Sequence, residues 1–349
     1  MTDRITIRRP DDWHVHFRDG AIMSACLPET ARCFGRAIAM PNLTPPVVRT
    51  ADAIAYRERL RAARPAGSIF EPLMTCYLTD DTDPDDVEEG FRSGVFTALK
   101  LYPAHATTNA GSGVTDLRRI SRVLERAEKI GLPLSMHGEE VDPDIDIFDR
   151  EAAFVDLRLG PLTASYPGLK MILEHLTTTV AVDFVRAKYP QVAGTITAHH
   201  LELTRTDMLG HGMRPDLYCM PVAKTVRDRN AIRRAATSGE PCYFLGSDSA
   251  PHSWAKKTSI PAAAGIFSAP TALEIYAAVF DLEGALDRLE GFASLHGPRH
   301  YGLPPNEGTV TLERAEWMPP EHVRVEGPED RLPVYRGGEM LSWRVVGQA

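Results

Sequence analysis

Two histidines stand two residues apart in DDWHVHFRD, residues 11–19, and an arginine follows two residues later. On a strand, alternate side chains share a face, so His14, His16 and Arg18 form one row and Trp13, Val15 and Phe17 the other. The row reads either as exposed strand histidines beside an arginine or as two imidazole ligands beside an anion clamp. Further along, Lys100 in FTALKLYP, His137 in LSMHGE, His175 in ILEHLT and Asp248 in FLGSDSAPH each stand at or just past the last apolar residue of a short apolar run. Each alone reads as an ordinary hydrogen-bonded strand end. Together, four imidazoles and a carboxylate make a donor set for a borderline divalent metal such as Zn²⁺.

Lys100 does not belong in that set as an ammonium, which dications repel and burial disfavours. Either its head snorkels from the strand end to water, or it is chemically modified. A neutral lysine amine adds CO₂ to give a carbamate, an anionic group able to bridge two metals.

The residues need elements that bring them together. Apolar runs at 13–17, 36–40, 69–78, 95–102, 132–137, 169–174, 193–199 and 241–246 predict eight buried strands. Amphipathic stretches alternate with them. The clearest is 115–130, with Leu117, Ile120, Val123, Leu124, Ala127 and Ile130 at helical spacing, Thr115 as start cap and Gly131 as stop. This α/β alternation predicts a (β/α)8 TIM barrel, whose strand ends converge on one mouth. An open doubly wound sheet is the alternative, weakened because no glycine-rich phosphate fingerprint follows the first strand. From about residue 303, the PP pairs at 304–305 and 319–320 and the stretch EGPEDRLP predict a short loop-rich C-terminal extension. No long linker precedes it, so residues 1–349 read as one domain.

Composition narrows the function. A net charge of −8 over 349 residues, with no basic cluster, argues against nucleic acid and anionic membranes as partners. No apolar run approaches the roughly 18 residues of a membrane span, and the start MTDRITIRRPDDW is too polar for a signal peptide. The five cysteines, at 26, 33, 76, 219 and 242, include no CxxC pair. They predict reduced thiols in a cytoplasmic protein rather than disulfides or a cysteine zinc site. Arginine outnumbers lysine by 32 to 7, so a lysine in an apolar stretch is a local choice.

The HVH pair, the lysine of KLYP, His137, His175 and the aspartate of GSDSAPH resemble the amidohydrolase superfamily. RRPDDWHVHFRDG, AMPNLTPP, LMTCYLTD, KLYPAHATTN, DIDIFDRE, LGSDSAPH and GFASLHGPRHYGLP resemble the dihydroorotases of the short bacterial type, over nearly the whole chain. The resemblance implies a (β/α)8 barrel, a homodimer, and two Zn²⁺ bridged by a carboxylated lysine, here Lys100 as N6-carboxylysine. It implies the zinc-dependent, reversible interconversion of N-carbamoyl-L-aspartate and L-dihydroorotate in pyrimidine (UMP) biosynthesis. Residue by residue, His14, His16 and Asp248 would hold one zinc, and His137 and His175 the other. Asp248 would also serve as base and then acid. Arg18, Asn42 and His252 match the family's substrate contacts, with backbone help near Met220 and Ala264. Met220 stands where the family more often has leucine, and 258–266 lacks the cysteines of some relatives.

Some readings stay open on the sequence. Asn42 also fits a turn before LTPP, and His252 an ordinary loop. Glu139 and Glu140 are either partners orienting a ligand or surface acids. His199 and His200, read as adjacent strand residues, face opposite ways, so at most one reaches the site. HATTNAGSG, residues 105–113, is long for a strand-to-helix connection and holds no apolar anchor. It reads as a plain surface loop or, as the resemblance implies, as a lid that brings Thr107 and Thr108 to a bound substrate. The rivals are a hydantoinase-like cyclic amidase, for which a carboxylate clamp has no use, and a non-catalytic scaffold, which would have no need of the ligands.

Overall fold

The computed structural model describes residues 3–327 and 331–348. A first strand, β1 (Arg4–Arg8), precedes eight parallel strands that pair in sequence order. They are β2 (Asp11–Val15), β3 (Arg36–Ala39), β4 (Glu71–Tyr77), β5 (Phe96–Leu101), β6 (Leu134–Met136), β7 (Met171–Leu173), β8 (Val192–Ile196) and β9 (Tyr243–Leu245). Helices follow each of them, among them Gly20–Ala31, Thr50–Ala62, Pro84–Arg92, Ser121–Ile130, Thr179–Lys188 and Val226–Ala236. This is the expected α/β barrel. The ring closes just beyond β9, where Val15 pairs with Ser249, the Asp248 N–H donates to the His14 carbonyl at 2.8 Å, and the His16 N–H donates to the Ser249 carbonyl at 2.9 Å. The closing seam therefore runs through the HVH and SDS stretches.

The strands follow their expected runs, with two departures among the strands and one at a helix start. The first begins and ends two residues early, and its register shifts between Asp12 and Val15. That irregularity breaks the expected alternation. Trp13 leaves the Val15–Phe17 set and packs with Ile38, Ile172, Ala193 and Phe244, a cluster drawn from strands across the ring and so lying in its interior. The expected 193–199 strand stops at Ile196, because Thr197 caps a short helix, Ala198–Glu202, through the His200 N–H. His199 and His200 are thus helical neighbours, both buried. The helix expected from Thr115 is capped instead by Asp116, which accepts from the Arg118 N–H, while Thr115 bonds Asp80. Gly131 does end it, in the left-handed conformation.

Beyond the barrel the chain carries β10 (Thr309–Trp317), β11 (His322–Arg324), β12 (Arg331–Pro333) and β13 (Leu341–Gln348), where the sequence suggested loop. Strand β10 pairs antiparallel with β1 on one side and β13 on the other, so the two ends of the chain share one sheet. The sheet docks on the helix Ala272–Leu282 through buried Trp343 of β13 and the ion pair of Arg314 of β10 with Asp281. Among the described residues, no helix is long and apolar enough to cross a membrane.

The interior cluster is capped by Tyr301, stacked on Trp13 with centroids 4.4 Å apart and planes within 8°. A methyl group at Gly297 would collide with the Trp13 indole. Gly297→Ala is therefore expected to lose about 1–3 kcal/mol of stability through overpacking. Denaturant unfolding checks this, and an unchanged midpoint would mean that Trp13 moves freely.

Candidate active site

At the mouth, each of three imidazoles has one nitrogen held by an acceptor. His14 Nδ1 lies 3.0 Å from Glu174 Oε2, His16 Nδ1 lies 2.9 Å from Asn42 Oδ1, and His137 Nε2 lies 2.8 Å from Glu139 Oε2. A neutral ring that donates through one nitrogen presents a lone pair at the other. Those free nitrogens converge: His14 Nε2 and His16 Nε2 are 3.3 Å apart, and His137 Nδ1 and His175 Nε2 are 3.2 Å apart. Asp248 Oδ1 sits 3.0 Å from His16 Nε2 and 3.3 Å from His14 Nε2.

Burial decides what can occupy those contacts. It pushes His14 down to about 4 and His16 and His175 well below the usual histidine range, with the Lys100 charge adding to burial at all three rings. The rings are therefore neutral near pH 7, and facing lone pairs repel unless a cation lies between them. His14, His16 and Asp248 have donor atoms within 4.8 Å of one another, an arrangement suited to a metal ion.

Lys100 is fully buried on β5, and its Nζ has no hydrogen-bond partner among the described residues. Burial lowers it to about 8, against the pull of Glu174 and Asp248. Burial raises Asp248. Glu174 goes the other way: burial opposes its charge, but Lys100, His14 and the bonds from His14 and Ser135 hold it down at about 2.

Three of the residues at the mouth hold left-handed backbone, Arg18 (φ 60°), His175 (φ 43°) and Asp248 (φ 44°), a strained state for side chains of this size. The barrel seam fixes Asp248. Tyr56 fixes Arg18 by donating from its hydroxyl to the Arg18 carbonyl at 2.8 Å. Strand alternation therefore does not place Arg18, since β2 ends at Val15; a turn does. Arg18, Asn42, Thr107, Thr108, Met220 and Ala264 line the same cavity as the imidazoles. His252 stands behind, its Nε2 2.9 Å from Arg18 Nη2 and 3.0 Å from the Ala264 carbonyl.

The 105–113 segment folds down over this cavity. Thr108 accepts from Asn42 Nδ2 through its carbonyl at 3.0 Å and donates from Oγ1 to the Ala264 carbonyl at 3.2 Å. Asn109 Nδ2 donates to the Asn42 carbonyl at 3.0 Å. Ala106 and Ala110 are buried and supply the apolar anchor that composition did not suggest.

Of the open readings, Asn42 is no mere turn residue, since it joins His16 to the loop. Glu139 is fully buried on His137, and Glu140 is buried against Arg158. Sequence reasoning passed over Glu174, a carboxylate inside the apolar run KMILE, and Tyr102, whose ring lies 5.1 Å from Lys100 Nζ. It also passed over Lys257. That Nζ donates to the carbonyls of Tyr218 (2.7 Å), Ala263 (3.1 Å) and Gly265 (2.7 Å), tying the Met220 segment to the Ala264 loop. The scarcity of lysine in this chain was the available signal.

The model of the amidohydrolase family matches residues 11–314. The chain belongs to that family. Within it, the chain is 56% identical to a dihydroorotase of Sphingopyxis alaskensis, covering 99% of this chain and all of the relative. Its fold superposes on the dihydroorotase of Saccharomyces cerevisiae solved with 5-fluoroorotic acid, at a TM-score of 0.91 and 33% identity over 99% of each chain. The Campylobacter jejuni dihydroorotase matches at a TM-score of 0.90 and 33% identity, over 99% of this chain and 98% of that one. The chain thus groups with the dihydroorotases of the amidohydrolase family.

If Glu174 orients His14, then Glu174→Gln should weaken metal retention about 10- to 100-fold while the fold survives. Competition with a chelator reads this directly, and unchanged retention would assign Glu174 a purely structural part.

Proposed function

We propose that this protein is a dihydroorotase, which interconverts N-carbamoyl-L-aspartate and L-dihydroorotate for pyrimidine synthesis in the cytoplasm. One observation carries the reading: four buried imidazoles, a buried lysine and Asp248 gather at one small cavity with an arginine fork. The product ring has an amide to open and a free carboxylate to recognise, and the cavity offers a partner for each.

Lone-pair contacts and an unpartnered lysine amine fit two divalent cations. His14, His16 and Asp248 would hold one Zn²⁺, His137 and His175 the other, and Lys100 as N6-carboxylysine would bridge them. Bound there, the metals would acidify water and polarise the ring carbonyl. Burial lowers the proton affinity of Lys100, which leaves more free amine to take up CO₂. Asp248 would accept the attacking water's proton as its oxygen adds to the ring carbonyl carbon. It would then pass that proton to the ring nitrogen as the C–N bond breaks, and ring closure reverses both transfers. Burial raises its proton affinity, which suits a group that must hold a proton briefly.

Arg18 suits the substrate carboxylate with its planar fork, helped by the remaining Asn42 amide hydrogen and by His252. Backbone groups near Met220 and Ala264 would meet the ring. Thr107 and Thr108 would close over it as the lid, which the Thr108 and Asn109 bonds already draw toward Asn42 and Ala264. A homodimer is the expected assembly. A hydantoinase-like activity has no use for Arg18, and a scaffold has no use for a complete donor set.

Purified protein should convert dihydroorotate and carbamoyl aspartate in both directions, leave dihydrouracil untouched, and stop when a chelator strips its metal. No activity in either direction, with metal bound, would overturn the reading. The native mass should carry one CO₂ beyond the metals, lost in acid, and Lys100→Ala should lose both metal and turnover.

Arg18→Met should keep its metal while kcat/KM falls by about 2–5 kcal/mol in transition-state binding. A value within about threefold of the parent would move the carboxylate clamp elsewhere. The Thr107→Ala/Thr108→Ala double variant should lose turnover while metal content and thermal stability barely change. Unchanged kinetics would return the 105–113 segment to the role of a surface loop.

A further inference from the structure

A second group of metal-type donors shares no residue with the set described above and adjoins it behind Met220. Thr197 caps the helix Ala198–Glu202 and so places His199 and His200 side by side, with ring centroids 4.5 Å apart. Cys219 faces them from the Cys219–Met220–Pro221 segment. Its Sγ lies 3.6 Å from His200 Nε2. Donor atoms of His199, His200 and Cys219 all lie within 4.8 Å of one another, and all three residues are buried.

Hydrogen bonding accounts for only part of this group. His200 is served on both sides, by the Thr197 hydroxyl at Nδ1 (2.9 Å) and the Pro221 carbonyl at Nε2 (3.0 Å). His199 is not: neither ring nitrogen has a partner among the described residues, although the ring is fully buried. A neutral imidazole carries one N–H and one lone pair, and burying both without partners is costly. Something polar must meet at least one of them.

We infer that His199, His200 and Cys219 form an accessory site for a thiophilic cation, with zinc(II) the first candidate, behind the wall that Met220 presents to the substrate cavity. Zn–N bonds of about 2.05 Å and a Zn–S bond of about 2.3 Å at the tetrahedral angle put nitrogen and sulfur about 3.6 Å apart. His200 and Cys219 already have that spacing. The Thr197 hydroxyl donates to or accepts from His200 Nδ1, so the ring can turn its Nε2 from donor to ligand without losing that bond. The Cys219 proton leaves to solvent as the sulfur–metal bond forms. His199 supplies the third ligand and gains the partner it otherwise lacks.

Sulfur makes the site separable from the catalytic centre, whose proposed donors are all nitrogen or oxygen. The full-length protein should be loaded with cobalt(II) beyond the requirement of the catalytic centre and its near-ultraviolet spectrum recorded. A thiolate-to-cobalt charge-transfer band is expected, lost in Cys219→Ser and weakened in His199→Gln, while the visible bands of the catalytic metal persist in both. No such band in the parent protein, or a band that survives Cys219→Ser, would overturn the inference and leave a buried water as the partner of His199. If Cys219→Ser does not fold, X-ray absorption on the zinc-loaded parent decides: sulfur in the zinc shell supports the site, and its absence refutes it.

Discussion

His14, His16, His137 and His175 carry their free nitrogens into a cavity that water scarcely reaches, and the site depends on those nitrogens staying unprotonated there. Desolvation achieves this for His14, His16 and His175, since a charged imidazole is poorly stabilised so deep in the barrel. The same burial lowers Lys100 and raises Asp248. One environment thus sets neutral rings, an amine of lowered proton affinity and a carboxylate of raised proton affinity side by side. Glu174 is the exception that the arrangement requires. Its charge is kept by Lys100, His14, Ser135 and Thr195, and in return it fixes which nitrogen of His14 faces the cavity.

The barrel's closure serves the same end. Parallel strands must close their ring somewhere, and here they do so through the backbone of His14, His16, Asp248 and Ser249. The hydrogen bonds that finish the sheet are also those that set two imidazoles against a carboxylate. Left-handed backbone at Arg18, His175 and Asp248 then aims the side chains where strand geometry alone would not. Such strain survives because the neighbouring seam and the Tyr56 hydroxyl leave those residues little freedom.

Around this core the loops act as a second layer of restraint. Asn42 touches His16 with one end of its amide and the 105–113 segment with the other, so the position of that segment and the orientation of a ring are joined. Lys257 does similar work on the opposite wall, where three carbonyls from two loops meet its ammonium.

Apolar runs of strand length, set between helical stretches, were enough to read a parallel barrel, because burial on both faces writes itself into consecutive residues. The donors at the strand ends were legible for the same reason: a histidine, lysine or aspartate at the edge of an apolar run is conspicuous. Other features were invisible because they depend on contacts between residues far apart in the chain. Glu174 drew no reading from its own stretch, because its partner His14 stands 160 positions away. Trp13 and Arg18 left the faces that alternation assigned them because a register shift and a left-handed turn are set by pairing with neighbouring strands and by Tyr56. The strands β10 and β13 read as loop because β10 completes a sheet with β1 near the other end of the sequence, and β13 pairs with β10 across the intervening β11 and β12. Local pattern therefore determined which residues are buried and which chemistry they carry. Tertiary packing alone decided which nitrogen, which rotamer and which partner each one uses, since those choices follow from distances that no short stretch of sequence contains.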